Sequence, residues 1–250
     1  MVTQVNTLIT TIDDIYDVYG TLDELELFIQ AVERWDINRI EKLPDYMKLC
    51  FFQLYNSINQ MAAAIFREQG LDILHYSRKV WTDLCKTYLL EVKWYHSGYT
   101  PTLQEYLDNA VVSIGAPIIR HYAYALISNQ ITREGLECFE REYPNVIHFS
   151  SLLLRLANDL GTSLDEIKRG DVPKSIQSYM NETGAFEEDA HKCIWNLIDI
   201  TWKKLNKERF KISSLPLTLM GTTMNLARMA QFMYLYGDGH SSQDQMTRNC

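Results

Sequence analysis

Apolar residues recur at three- and four-residue spacing in long blocks through the whole chain, and the few turn residues fall between the blocks. That period belongs to the α-helix, where residues three and four apart share a face; a half-buried strand would alternate instead. The spacing predicts helices over roughly 3–19, 22–35, 45–69, 71–97, 102–128, 132–141, 146–169, 173–182, 186–207 and 216–236, with ends good to about 2–4 residues. Pro44, Pro101, Pro144, Pro173 and Pro216 sit at or near these starts, where a missing N–H costs nothing. Thr102 with Glu105, and Thr132 ahead of Glu134, resemble helix entries. No alternating strand run, internal repeat, low-complexity tract or linker interrupts the pattern, so the expected class is all-α.

One proline departs from the rule. In NAVVSIGAPIIRHYAYALI, Asn109 to Ile127, the helical period runs across Gly115 and Pro117, which predicts a kinked or broken helix. A break there releases backbone carbonyls around Val112, Ser113 and Ile114, which need a partner or a polar cavity. Periodicity alone leaves a packing kink and a functional break as equal readings.

Acidic residues in apolar surroundings pose the next question. The stretch LITTIDDIYDVYGT, Leu8 to Thr21, carries Asp13, Asp14 and Asp17 among apolar and aromatic residues. Asp13 and Asp17 share a helix face, where like charges repel by about 0.2–0.5 kcal/mol when exposed and by more when desolvated. Leu8, Ile9, Ile12, Ile15, Tyr16, Val18 and Tyr19 take most of the remaining circumference, which predicts a buried helix with its carboxylates aimed into the protein. A hard divalent cation suits such oxygens, and Mg2+ takes one or two carboxylates and completes its shell with water and phosphate. Taken by itself, the motif fits a solvated acidic face equally well.

A second constellation favours the metal. In RLANDLGTSLDEIKRGDVPKS, Asn158, Thr162 and Glu166 fall on one helical stripe as oxygen donors, Asp159 is one step round, Arg155 precedes by three, and Lys174 follows the Gly170–Pro173 break. Two oxygen-rich stripes with nearby cations describe a site for a metal-bridged polyphosphate. The formal net charge of -8 argues against a general nucleic-acid binder and makes that local basic set necessary. Five cysteines, Cys50, Cys85, Cys138, Cys193 and Cys250, lack zinc spacing and read as reduced thiols of an intracellular protein. No targeting signal and no membrane-length apolar run is visible.

Asp13-Asp14-Ile15-Tyr16-Asp17 resembles the DDxxD motif, and Asn158-Asp159-Leu160-Gly161-Thr162-Ser163-Leu164-Asp165-Glu166 the NDxx(S/T)xxxE motif, of plant class I terpene synthases. The resemblance is strongest to the angiosperm monoterpene synthases and extends over essentially the whole chain. VERWD from Val32, EVKWYHSGYTPTLQEYLDNA from Glu91, KRGDVPKSIQSYM from Lys168 and YGDGH from Tyr236 add to it.

The resemblance implies the terpenoid synthase helical bundle around a central cavity. Residues 1–250 would be part of the C-terminal catalytic domain, with the bundle incomplete on its N-terminal side and the N-terminal helical domain absent. It further implies that Asp13, Asp17, Asn158, Thr162 and Glu166 bind metal, three Mg2+ ions in all with Mn2+ as a substitute, and that Asp14 and Asp159 support them. Arg155 and Lys174 would contact the diphosphate, and the break at Ser113, Ile114 and Gly115 would face the reacting chain. Trp94 and Tyr234 are the leading aromatic candidates, ahead of Tyr95, Tyr122, Tyr124 and Tyr236, and His240 sits in a lid-like 237–242 segment as a candidate for proton transfer. The implied reaction is Mg2+-dependent ionisation of a prenyl diphosphate, geranyl diphosphate first, to a carbocation that becomes a monoterpene. The implied partner is that small molecule alone, acting on a monomer without membrane insertion. The implied location of a full-length monoterpene synthase is the plastid. Alternatives are a sesquiterpene synthase using farnesyl diphosphate, a chain-elongating prenyl diphosphate synthase, and an inactive helical fragment or scaffold.

Overall fold

Local rules set most of the helix ends. In a computed structural model of the chain, the described residues are 2–128, 130–140, 143–169, 173–211 and 215–234, and the side chains at 39, 163–169 and 218 lie outside the description. Among them are eleven α-helices: α1 Val2–Asp14, α2 Leu22–Arg34, α3 Asp45–Gln69, α4 Leu74–Ser97, α5 Leu103–Ser113, α6 Ala116–Ile127, α7 Arg133–Glu137, α8 Asn145–Arg169, α9 Ser175–Thr183, α10 Glu187–Glu208 and α11 Leu217–Met233. The Thr21 N–H donates to Glu24 at 3.0 Å and the Thr102 N–H to Glu105 at 2.9 Å, closing capping boxes on α2 and α5. Asp72 accepts from the Leu74 N–H at 2.8 Å, which starts α4 three residues later than the spacing predicts. Gly70 ends α3 in the left-handed conformation at φ 74°, where a side chain would be strained.

Three predicted elements differ in form. The single helix expected over 102–128 is two, α5 and α6, because Gly115 takes φ 74° and Pro117 lies in the first turn of α6. Leu103–Ile127 is apolar and long enough by count to cross a membrane, but it is interrupted and mostly buried, as a core helix is. The helix expected over 132–141 stops at Glu137, where Phe139 and Glu140 donate three residues back, at 2.9 and 3.0 Å, and tighten the chain into a turn. The helix expected to reach Tyr19 ends at Asp14, and a π-helical turn follows over Ile15–Tyr19.

The chain divides into two compact units. One comprises residues 1–97, 115–144 and 213–219, and in it α4 packs against α2, α3 and α6 while α1 packs against α3 and α6. Its core is the apolar stripe of each helix, including Leu25, Phe28 and Val32 of α2 and Val80, Trp81 and Leu84 of α4, each side chain stabilising by about 1.5–3 kcal/mol on burial. Trp35 closes α2 in the left-handed region at φ 52° and sets its ring 6.1 Å from Phe51 and 5.6 Å from Tyr55. The other unit comprises residues 98–114, 145–212 and 220–250, in which α8 packs against α5, α9 and α10. Among the described residues Cys50 and Cys85 are buried, Cys138 and Cys193 half-buried, and all four are free thiols.

Candidate active site

In the first unit the acidic motif lies where α1 passes into the π-turn. The Gly20 N–H donates to the Ile15 carbonyl at 2.8 Å, the five-residue step that defines that turn and that often marks a functional position. Val5, Leu8, Ile12, Ile15 and Tyr16 form the buried stripe. Asp13 is half-buried, whereas Asp14 and Asp17 are exposed, with Val18 at 69% and Tyr19 at 68%. The expectation of a buried helix with its carboxylates aimed into the protein is therefore corrected: one stripe is buried, the π-turn leaves Val18 and Tyr19 outside it, and the carboxylates stand at and beyond its edge.

Asp13 is held from α4. The buried Tyr88 hydroxyl hydrogen-bonds its carboxylate, and burial first, then the Asp13 charge and hydrogen bond, push the Tyr88 pKa well above the ordinary phenol value. The Tyr16 ring lies 5.6 Å from Tyr88 and 6.2 Å from Phe28, so the support behind Asp13 is aromatic and rigid. Among the described residues no three His, Cys, Asp or Glu side chains come together as a metal cage. The donor set is nevertheless the hard-oxygen kind Mg2+ accepts, and that ion characteristically leaves most of its shell to water and phosphate.

In the second unit α8 runs unbroken over Asn145–Arg169, so Asn158, Thr162 and Glu166 keep one helical register, although the Glu166 side chain lies outside the described residues. Asn158 and Thr162 are half-buried, and the Thr162 hydroxyl donates back to the Asn158 carbonyl at 2.9 Å, turning its lone pairs away from the helix. Asp159 points elsewhere. Its carboxylate, wholly buried, accepts from the Tyr106 hydroxyl of α5 at 2.9 and 3.1 Å, pairs with Arg155 Nε at 3.1 Å, and accepts from the Ser175 N–H at 3.3 Å. Arg155 Nε also donates to the Tyr106 hydroxyl at 2.6 Å, and its guanidinium lies 5.5 Å from that ring centre. Lys174, half-buried, caps the start of α9 and donates its own N–H to Gln177 at 3.1 Å. Asp159, read from its motif as support for a metal, is thus engaged with Arg155, Tyr106 and α9.

The break between α5 and α6 falls at Gly115, with Pro117 in the first turn of α6. Pro117 has no N–H to give the Ser113 carbonyl, so that helical bond is missing. Ser113 is buried with its hydroxyl unpartnered, Ile114 is half-buried, and a Cβ on Gly115 would meet Ile9 Cγ2 at 3.2 Å. The aromatic candidates separate. Tyr122 accepts from Trp81 Nε1 at 3.1 Å and Tyr124 from the Thr132 N–H at 3.0 Å, which makes both core residues. Trp94 is half-buried near the end of α4, Tyr95 is exposed, and Tyr234 is half-buried just after α11. Tyr236 and His240 lie outside the described residues. Tyr88 and Tyr106 were not singled out from sequence. Tyr106 stands inside the family-like EYLDNA string, but no spacing connects it to Asp159, 53 residues away.

The described residues are thus all-helical and carry two oxygen-donor motifs, one of them beside the buried Arg155. Residues 1–204 match the terpene synthase family, metal binding domain, and the chain belongs to that family. It is 62% identical over 240 residues to the (-)-alpha-terpineol synthase of Vitis vinifera, covering 96% of this chain and 40% of that protein. To the chloroplastic myrcene synthase of Quercus ilex it is 57% identical, covering 100% of this chain and 42% of that one. A crystal structure of limonene synthase with 2-fluorolinalyl diphosphate superposes with a TM-score of 0.92 at 43% identity, covering 98% of this chain and 45% of that one. Isoprene synthase from grey poplar (Populus x canescens), in complex with three Mg2+ ions and dimethylallyl-S-thiolodiphosphate, gives 0.89 at 46% identity, with coverage of 97% and 46%. The fold is that of these synthases, and the chain spans less than half the length of the relatives it matches.

Proposed function

We propose that this chain supplies the metal- and diphosphate-binding part of a monoterpene synthase acting on geranyl diphosphate. The observation that carries the reading is the pair of oxygen-donor motifs, Asp13/Asp17 and Asn158/Thr162/Glu166, in a chain 62% identical to a terpineol synthase. Those five side chains are assigned to Mg2+, with Asp14 in support and Mn2+ as a possible replacement. When bound, the ions stabilise negative charge on the departing diphosphate. Arg155 and Lys174 are assigned charge-assisted hydrogen bonds to its oxygens, each contributing about 1.5–3 kcal/mol. As the allylic C–O bond breaks, its electron pair leaves with the diphosphate and the carbon chain is left cationic. The Ser113–Gly115 break offers carbonyl dipoles to that cation, and Trp94 and Tyr234 offer aromatic faces worth about 0.5–2 kcal/mol each. Loss of a proton, for which His240 is the candidate acceptor, or capture of water completes the reaction. The myrcene synthase of Quercus ilex and the gamma-terpinene synthase of Citrus limon are described as chloroplastic, which supports a plastid location for the full-length protein. A monomer is the assembly proposed for it.

The test begins with binding. Thermal unfolding of this chain with Mg2+, with inorganic pyrophosphate and with both should show a clear rise only for the combination, because neither motif by itself completes a metal shell. Asn158→Ala should remove that rise. An equal shift from Mg2+ alone would indicate a simple cation site and overturn the reading. Product analysis of a chain of the relatives' full length, given geranyl or farnesyl diphosphate, then decides the substrate.

A further inference from the structure

A buried ion pair normally comes close to breaking even against its desolvation, and it persists where further hydrogen bonds satisfy its remaining atoms. Arg155 and Asp159 have side chains only 8% and 0% exposed, and Tyr106 is the group that completes them. A phenol hydroxyl has one proton to give and lone pairs to accept with. Here the proton goes to the Asp159 carboxylate at 2.9 Å, and a lone pair takes Arg155 Nε–H at 2.6 Å. The guanidinium carbon lies 5.5 Å from the centre of the same ring. One tyrosine hydroxyl therefore fixes the direction of the Arg155 Nε–H and, through Asp159, the carboxylate it pairs with. Asp159 extends the linkage to α9: it accepts the Ser175 N–H at 3.3 Å, and Ser175 immediately follows Lys174.

We propose that Tyr106 is a positioning residue for diphosphate binding, orienting Arg155 directly and holding Lys174 in register with it through Asp159. The inference rests on the proposed assignment of Arg155 and Lys174 to the diphosphate. Nothing in the two metal motifs includes Tyr106, which reaches the cluster from α5.

Isothermal titration of this chain with inorganic pyrophosphate in saturating Mg2+ tests it, using wild type, Tyr106→Phe, Arg155→Lys, the double variant and Asn158→Ala. Tyr106→Phe keeps the ring and removes only the hydroxyl; pyrophosphate should bind about tenfold more weakly, the lower range for losing a partner of a binding residue. Because the tyrosine acts through Arg155, adding Tyr106→Phe to Arg155→Lys should cost less than about twofold more, a non-additivity that a general loss of packing does not produce. Wild-type affinity in a Tyr106→Phe chain with native circular dichroism, or losses that multiply in the double variant, would overturn the positioning role while Asn158→Ala still abolished binding. Unchanged binding in Asn158→Ala would instead bring down the site assignment itself. Should Tyr106→Phe not fold, Asp159→Asn, which keeps the shape of the cluster, provides the same comparison.

Discussion

Acidification should destabilise this protein through one histidine, and the size of the effect follows from its surroundings. His121 on α6 is completely buried: its Nε2 meets the Ser77 hydroxyl at 3.0 Å, its Nδ1 has no hydrogen-bond partner, and the rings of Tyr122 and Phe139 stand edge-on at 5.0 and 5.3 Å. Burial alone lowers its pKa to about 3, with no charged neighbour contributing. The unfolded chain, with a histidine pKa of about 6.5, binds the proton first, so stability is lost as pH falls from about 6.5 towards 3. At 1.36 kcal/mol for each unit of pH, the loss between about pH 7 and pH 5 is roughly 2 kcal/mol, approaching roughly 5 kcal/mol near pH 3. Urea unfolding of wild type and His121→Gln across that range isolates the term. His148, whose pKa burial also lowers, and the capping carboxylates Glu24 and Glu105, lowered chiefly by backbone hydrogen bonds, titrate alike in both proteins and cancel. The stability difference should shrink by about 2 kcal/mol from neutral to about pH 5. Parallel profiles, or a measured His121 pKa near that of a free imidazole, would refute the reasoning.

Two further substitutions probe the site's framework. Gly115→Ala should cost about 1–2 kcal/mol in urea unfolding, because φ 74° strains any side chain and the new Cβ would press on Ile9 at 3.2 Å. Asp13→Ala should lower metal-free stability by about 1–3 kcal/mol by stranding the buried Tyr88 hydroxyl. Asp17→Ala, at an exposed position, should stay within about 0.5 kcal/mol in the same assay.

Helix positions, the interruption at Gly115 and the register of Asn158, Thr162 and Glu166 were determined by the sequence, because each depends on contacts within a few residues. Apolar period, capping side chains and a proline without an N–H act before any tertiary contact exists. The motif pair likewise named its candidate ligands. What the motifs did not contain is the direction of Asp159: one residue along from Asn158 is about 100° round the helix, and whether that direction meets water, metal or core depends on what packs there. Tertiary structure placed Tyr106, Arg155 and the start of α9 against it. The same holds for Asp13, whose partner Tyr88 arrives from α4. Exposure of Val18 and Tyr19 was decided there too, since the π-turn after Asp14 shifts the faces that a continuous α-helical period assigns. Side-chain hydroxyls that orient a charge leave no periodic trace in a sequence, because the distance along the chain between partners is set by how helices pack and not by how they wind.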